Sequence, residues 1–216
     1  MPKHYLQRLI DEGEHQQQDF KYKVTDACKL AKSVSAFANT DGGRLLVGVR
    51  DDGHLSGVRS EEEIYMLQEA ATHYCHPASD IKFETFVAEG RTIVVATVPK
   101  AQHKPIKALG DDGKWKAYIR VADENIVASP VHLRIWRDEE TSKGILVNIG
   151  DEEQQVMQAL KGPPGITLRQ VERTSGVGHH RTVNILAKLV RFELVQCQFY
   201  KQHFAFYTNY YENGKT

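Results

Sequence analysis

The stretch at residues 35–58, SAFANTDGGRLLVGVRDDGHLSGV, places the strongest constraint on the fold. Its first residues, 36–38, complete an apolar helical face, and residues 39–43 end the helix because glycine adopts positive φ values that other residues avoid. Residues 45–49 form a short apolar run, which is typical of a strand covered on both faces. Residues 51–53, Asp-Asp-Gly, are a hairpin-turn signal. The stretch therefore predicts a helix, a tight turn and a buried strand that ends in carboxylates.

Helix and strand patterns alternate on either side of this stretch. Apolar residues at three-to-four spacing predict a helix that extends to about Asn39, with Thr25 or Asp26 as its N-cap. Ser60, followed three residues later by Glu63, predicts a capping box at the start of a helix over residues 61–74. Strands are predicted at residues 14–23, 55–58, 81–88, 92–98 and 115–121. Because these elements alternate without a strict βαβ repeat, we expect an α+β domain at residues 1–138.

The composition changes near residue 138, and we expect a linker at residues 139–150. Three helical patterns follow, at residues 151–160, from Thr167 onwards, and at 179–190, with a glycine-containing turn between the second and third. Two strands are predicted at residues 194–200 and 203–208, before a tail at residues 209–216. Three helices followed by a β-hairpin predict a small winged helix-turn-helix domain at residues 151–208.

The net charge and the cysteine content argue against a protein that is basic over its whole surface and against one held together by disulfides. Lys plus Arg and Asp plus Glu number 28 each, so any nucleic-acid contact must come from a local patch. The three cysteines are widely spaced, which argues against a disulfide framework and fits a reducing compartment. Because no apolar run approaches the ~18 residues of a membrane span, we expect a cytoplasmic protein that does not enter a membrane.

Three acidic residues are candidate catalytic and metal-binding groups. Glu14 and Asp19 lie in or beside the first predicted strand, and Asp51 ends the buried strand. If neighbouring strands bring the three carboxylates to one edge, they form with Lys21 the elements of an Mg²⁺ or Mn²⁺ site for phosphodiester cleavage. Solvated loop acids would show the same spacing, so the spacing alone leaves both interpretations open.

Basic and aromatic residues form two groups of candidate nucleic-acid contacts. Those of the first domain are Lys21, Lys23, Arg44, Arg50, Lys114, Trp115, Lys116 and Arg120. Cations of this kind neutralise phosphates, and Trp115 has a ring that would stack on an unpaired base. Those of the third C-terminal helix are His179, His180, Arg181, Asn184 and Lys188, which would face a major groove. The aromatic residues around the predicted wing favour a second possibility, a protein contact such as a homodimer.

The segments GEHQQQDFK, SAFANTDGGRLLVGVRDDGHLSGV and KAYIRV resemble the Schlafen domain, also named the Alba-like or divergent ATPase-associated domain of bacterial proteins. The resemblance spans about residues 5–130. It implies an α+β domain with a curved cleft for nucleic acid, often followed by a winged helix in bacterial transcriptional regulators. Some relatives are described as ATP-binding. Those of the endoribonuclease type cleave structured RNA with three acids, which fall on Glu14, Asp19 and Asp51.

The chain departs from this family pattern at two places. Asp19 stands where the pattern has glutamate, which shortens the side chain by one methylene, on the order of 1.5 Å. His73 and Cys75 resemble half of a family zinc site, but residues 99–103 lack the cysteines of the other half. A site from His73, Cys75, His76 and His103 is compatible with zinc in ligand type, but a helix end with its histidines in solvent explains the same residues, so we do not expect zinc.

We therefore expect a DNA-binding transcriptional regulator. A metal-dependent endoribonuclease is the alternative, and an ATP-binding regulator is the second alternative. The turn at residues 40–43 argues against the last, because it lacks the Gly-Lys-Ser/Thr end of a phosphate-binding loop.

Overall fold

The computed structural model describes residues 2–141, 150–162 and 165–208 of the 216-residue chain. Most of the expected linker and the whole expected tail lie outside these residues. The chain divides into two compact units, Met1–Ala128 and Ser129–Thr216. Both units mix helices with sheets, which confirms the predicted α+β class.

In the described part of the first unit, helices are α1 (Pro2–Glu12), α2 (Ala27–Asn39) and α3 (Glu61–Thr72). Strands are β1 (Gln18–Lys21), β2 (Gly43–Val47), β3 (Cys75–His76), β4 (Lys82–Ala88), β5 (Arg91–Val98), β6 (Lys107–Leu109), β7 (Trp115–Val121) and β8 (Glu124–Val127). They form one sheet in the order β1-β2-β5-β4 and another in the order β3-β6-β7-β8. Strands β1 and β2 pair in parallel, and the other pairs are antiparallel.

Helix α2 is the centre of the first unit. It begins at the N-cap Asp26, whose carboxylate accepts hydrogen bonds from the backbone N–H groups of Cys28 at 2.9 Å and Lys29 at 3.3 Å. Almost every residue from Leu30 to Asn39 is buried. One core cluster joins the helix to residues of both sheets, Val94 in β5 and Tyr118 in β7 among them. A helix enclosed in this way is apolar around most of its circumference.

Strand β2 is buried on both faces, as the apolar run predicted. Leu45 and Val47 belong to the cluster around α2, whereas Leu46 packs with α1 in a second cluster. Successive side chains of a strand point to opposite faces, so a strand between two helical layers needs apolar residues at every position.

Three local predictions were wrong. The first strand covers only Gln18–Lys21 rather than residues 14–23, so Glu14 lies before it. Residues 55–58 form no strand, since Leu55 makes only an isolated bridge with Val49. Ser60 makes no side-chain cap hydrogen bond, and the buried Glu63 carboxylate instead accepts from the backbone N–H groups of Arg59 at 2.9 Å and Val24 at 3.1 Å. A tertiary role for Glu63 therefore replaces the local capping box.

The described elements of the second unit are α4 (Pro130–Glu140), α5 (Asp151–Leu160), β9 (Ile166–Thr167), α6 (Leu168–Ser175), α7 (His179–Arg191), β10 (Val195–Tyr200) and β11 (His203–Thr208). Its antiparallel sheet has the order β10-β11-β9. Thr167 and Gln170 form a capping box at α6, and Gly176 ends that helix in the left-handed conformation. Helix α4 contributes Val131 to the core of this unit and extends into the start of the expected linker.

Candidate functional site

Glu14 and Asp19 lie side by side at strand β1. The Glu14 Oε1 atom accepts a hydrogen bond from the backbone N–H of Phe20 at 2.8 Å. Burial raises the pKa of the Glu14 carboxyl. A side-chain hydrogen bond with Asp19 and the charge of Asp19 raise this pKa further, whereas the Phe20 N–H opposes the rise. Two of the three predicted acids are thus brought together by the structure.

Asp19 is 5% exposed and lies between two cations. The Lys21 Nζ atom is 2.5 Å from Asp19 Oδ2, and the Arg120 Nη2 atom is 3.4 Å from Asp19 Oδ1. Arg120, only 2% exposed, also donates hydrogen bonds to Asn125 Oδ1 at 2.9 Å and to the Gln18 carbonyl at 3.3 Å. A buried charge is stable only when an opposite charge or hydrogen bonds compensate it. Because Asp19 and Gln18 lie in β1 and Arg120 lies in β7, these contacts hold the two strands together. Arg120 therefore offers no charge to a phosphate at the surface, contrary to its expected role.

Asp51 does not join the other two acids. Asp19 pairs across the parallel strands with Leu45, whereas Asp51 follows the end of β2 in an exposed turn. Within residues 2–141, 150–162 and 165–208, no three His, Cys, Asp or Glu side chains are grouped so that they would hold a metal ion. The expected three-carboxylate ligand set for Mg²⁺ or Mn²⁺ is therefore not assembled in this structure.

The two residues that resemble half of a zinc site have different environments. The Cys75 thiol is buried and lies 3.6 Å from the Ala31 carbonyl oxygen. Burial raises its pKa to about 12, so the thiolate that a metal needs is disfavoured. His73 is at the surface, where its Nδ1 atom lies 3.2 Å from a Glu69 carboxylate oxygen.

The remaining basic candidates of the first unit differ in their exposure and in their distance from acidic side chains. Lys23 and Lys114 are exposed. Lys116 is 2.8 Å from an Asp112 carboxylate oxygen, and Arg44 is 3.9 Å from a Glu12 oxygen. Trp115 is 45% exposed and meets the ring of His76 at a centroid distance of 5.9 Å. An exposed indole beside cations fits a contact with an unpaired base.

Tyr22 is an interface candidate that the sequence did not reveal. The residue is 40% exposed, and its ring centroid lies 4.8 Å from the guanidinium carbon of Arg50. Arg59 donates a hydrogen bond to the Tyr22 hydroxyl at 3.1 Å. The segment FKYK contained the signal, an aromatic residue between two lysines, but nothing local linked Tyr22 to Arg59.

The candidates on α7 lie beside acids of the second unit. His179, His180 and Arg181 are exposed in the first turn. The Arg181 Nε atom is 2.5 Å from a Glu152 oxygen, and the His179 Nδ1 atom is 2.7 Å from a Glu172 oxygen.

Further along α7, Lys188 is 3.9 Å from a Glu153 oxygen, and Asn184 is partly buried. Arg181 and Lys188 of α7 are thus each paired with a glutamate of α5.

No helix in the described part of the chain has the length and apolar character that a membrane crossing requires.

Two solved structures similar to this chain have low sequence identity to it. The DIP2311 protein of Corynebacterium diphtheriae is 18% identical, with a TM-score of 0.45; the match covers 74% of this chain and 38% of that one. The N-terminal domain of a RecG-related protein of Nitrosomonas europaea, named for an ATP-dependent DNA helicase, is 23% identical, with a TM-score of 0.40. That match covers 66% of this chain and 94% of the other.

No curated protein matches the chain. A protein family does match it, under the description Schlafen, AlbA_2, over residues 14–129. These residues contain α2, both sheets and the acids Glu14, Asp19 and Asp51. Because the match covers more than half of the chain, the protein belongs to the Schlafen, AlbA_2 family.

Proposed function

We propose that this protein is a cytoplasmic DNA-binding transcriptional regulator, with a Schlafen-like nucleic-acid-binding unit followed by a winged helix-turn-helix. Membership of the family supports a nucleic-acid-related function. The observation that carries the finer proposal is the order of elements in the second unit. Helices α5, α6 and α7 precede the β10–β11 hairpin, and a left-handed Gly176 separates α6 from α7. This order is typical of a winged helix, in which the third helix enters the major groove.

The ion pairs of α7 are compatible with this role on energetic grounds. The Arg181 and Glu152 side chains are 56% and 46% exposed. Ion pairs as exposed as this contribute about 0–1 kcal/mol, because water screens them. A DNA phosphate is therefore able to replace the glutamate as the partner of Arg181, which leaves His179 and His180 to approach base edges.

The test is fluorescence anisotropy with a labelled DNA duplex and with tRNA over a range of salt concentrations. We expect salt-sensitive duplex binding, and the Arg181→Gln variant should reduce the slope of log K against log salt by about 0.9. Arg137 on α4 is also exposed, so Arg137→Gln is the matched control that should leave the slope unchanged. Absence of salt-sensitive duplex binding would refute the regulator.

A metal-dependent endoribonuclease is a second candidate function. It is favoured by the adjacent Glu14 and Asp19 carboxylates and by the raised pKa of Glu14, since active sites collect perturbed carboxylates. It requires Asp51 to approach them. Incubation of tRNA with and without Mn²⁺ tests it, with Asp51→Ala compared against Asp52→Ala in the same turn. Cleavage that needs Mn²⁺ and is lost only in Asp51→Ala would establish the nuclease, whereas intact tRNA in all samples would exclude it.

A homodimer through the second unit is supported by an apolar cavity of about 480 Å³, whose lining includes Met157, Leu160, Leu189 and Leu194. Analytical ultracentrifugation of the wild type and of Leu194→Glu tests this. A dimer that the substitution dissociates supports the proposal, and a monomer at high protein concentration excludes it.

A further inference from the structure

We propose that Tyr22, Arg50 and Arg59 form a binding site for an unpaired stretch of nucleic acid on the first unit, separate from the duplex contact at α7. We refer to these three residues as the arginine–tyrosine cluster. The inference rests on the proposed nucleic-acid function and adds the strandedness of a second ligand. None of the three residues is among the carboxylates of the candidate nuclease site.

The cluster presents two guanidinium groups against one tyrosine side chain, in a residue that is 40% exposed. Arg50 lies over the Tyr22 ring, with 4.8 Å from the guanidinium carbon to the centroid, and the corresponding distance for Arg59 is 6.0 Å. The Arg59 Nη2 atom also donates to the Tyr22 hydroxyl at 3.1 Å. These contacts restrict all three side chains, so less conformational entropy is lost when a ligand binds.

The two guanidinium groups of the cluster have no direct ion-pair partner among the described residues. In the part of the chain that the structure describes, neither Arg50 nor Arg59 forms an ion pair with a carboxylate. The nearby Asp52 carboxylate lies 3.2 Å from the His54 Nδ1 atom. The pKa of Asp52 is lowered mainly by the hydrogen bond from the His54 N–H and to a smaller extent by the charge of Arg50, with which it forms no direct ion pair. By contrast, Arg8 also lies over a tyrosine ring, that of Tyr5, but is 3.7 Å from a Glu12 oxygen. The arginine–tyrosine cluster therefore retains two positive charges for phosphates.

Backbone contacts hold the segments that carry the cluster. The Gly48 carbonyl accepts hydrogen bonds from the N–H groups of Ser56 at 2.7 Å and Gly57 at 3.0 Å. Gly48 has a φ of +90°, and a Cβ atom there would lie 2.9 Å from the Gly57 carbonyl carbon. This close crossing of the chain brings Arg50 and Arg59 to the same place, although they are nine positions apart in the sequence.

A buried carboxylate completes this framework. Glu63 accepts from the N–H of Arg59 at 2.9 Å and from the N–H of Val24 at 3.1 Å, two residues beyond Tyr22. The Ser56 hydroxyl donates to the Tyr22 carbonyl at 3.1 Å. Sites that are held rigid before the ligand arrives bind it more tightly than mobile surface cations do.

The combination of groups favours an unpaired strand over a duplex. A guanidinium pair binds backbone phosphate in either form, but an exposed tyrosine ring gains stacking energy only from a base that is free of its partner. Because stacking tolerates every base, the cluster is expected to bind without strong sequence preference.

The experiment measures anisotropy of a fluorescein-labelled oligothymidylate of about 12 nucleotides, with oligouridylate and a duplex of the same length as parallel probes. We expect Tyr22→Leu to weaken single-strand binding by about 5- to 150-fold, the range found for one stacked base. Tyr22→Phe keeps the ring and should retain most of the affinity. Arg50→Gln and Arg59→Gln should each lower the salt slope by about 0.7. Arg8→Gln, with the same change of charge, should leave it unaltered.

The outcomes separate this inference from the proposed function. Duplex binding that depends on Arg181, with no single-strand binding or with Tyr22→Leu equal to the wild type, would overturn the cluster and leave the regulator standing. Single-strand binding that Tyr22→Leu removes, without duplex binding, would support the cluster and refute the regulator. Equal losses in Arg8→Gln and Arg50→Gln would show nonspecific charge attraction and overturn the cluster. Circular dichroism melting of each variant establishes that it is folded.

Discussion

Asn39 and Ile106 are joined by two hydrogen bonds of opposite direction. The Ile106 N–H donates to Asn39 Oδ1 at 2.8 Å, and Asn39 Nδ2 donates to the Ile106 carbonyl at 2.7 Å. The same amide also donates to the Tyr118 carbonyl at 2.9 Å. Asn39 therefore joins the end of α2 to the second sheet, a structural role that the turn-forming composition of residues 39–43 does not reveal.

Asn39→Ala should lower the free energy of unfolding by about 2–4 kcal/mol, because it leaves the buried Ile106 N–H without its acceptor. Urea denaturation followed by circular dichroism measures this loss. Gln68→Ala, at an exposed position of α3, is the control and should change stability by less than about 0.5 kcal/mol. Similar stability of the two variants would contradict the role assigned to Asn39.

Arg120 and Lys114 were both expected to contact nucleic acid, and the structure predicts opposite behaviour for them. Arg120→Gln should destabilise the protein by about 3 kcal/mol, since it removes a buried partner of Asp19. Lys114→Gln should leave stability within about 0.5 kcal/mol of the wild type, because Lys114 is exposed. Chemical denaturation of both variants is the measurement. A stable Arg120→Gln protein with weakened nucleic-acid binding would disprove the structural role.

Glu14 makes stability depend on pH in a direction that its raised pKa determines. The Glu14 carboxyl binds its proton more tightly in the folded protein than in the unfolded chain, where its pKa has the usual value of 4.5. The favourable contribution of protonated Glu14 is present below pH 4.5 and is lost as the pH rises through the higher folded-state pKa.

Glu14→Gln should therefore gain stability relative to the wild type as the pH increases above 4.5, and the amide oxygen still accepts from the Phe20 N–H. Urea denaturation at several pH values between about 4 and 7.5 tests this. A difference between the two proteins that is constant with pH would contradict the assignment.

Alanine substitutions at Gly48 and Gly90 distinguish the destabilisation caused by a positive φ from the destabilisation caused by a steric clash. Both have positive φ, +90° and +71°, but an added Cβ meets backbone atoms of residues 57 and 58 only at Gly48, whereas nothing lies within 4 Å at Gly90. Gly90→Ala should cost about 1 kcal/mol, and Gly48→Ala about 2–4 kcal/mol. Thermal melting of both variants checks the order, and equal shifts would show that backbone conformation alone matters.

Glu152→Gln should strengthen duplex binding by the second unit. The substitution frees Arg181 from its carboxylate at 2.5 Å and removes a negative charge from the proposed interface. Since exposed ion pairs contribute about 0.2–1 kcal/mol, we expect a gain of roughly 1.5- to 5-fold in affinity at low salt. Anisotropy titrations measure it, with Glu140→Gln at an exposed position of α4 as the charge-matched control. An equal gain in both variants would exclude a specific role for Glu152.

Local patterns predicted the elements well where a single segment carries the signal. The strands β7, Trp115–Val121, and β11, His203–Thr208, have the predicted bounds, and Asp26, one of the two expected caps, caps α2. Short strands such as β3, Cys75–His76, were missed, because two residues carry no periodicity and their pairing depends on β6. Glu63 was assigned to a cap because it lies at the right spacing, whereas its partners are Val24 and Arg59.

The sequence by itself determined the α+β class, the buried strand β2 and the family, since apolar periodicity and a long motif lie within continuous segments. Only the tertiary structure decided that Asp19 pairs with Arg120, that Asp51 lies away from Glu14 and Asp19, and that Tyr22 contacts two arginines. The reason is physical: the energy of a charge depends on its burial and on its partners, and those partners come from segments far apart in the chain.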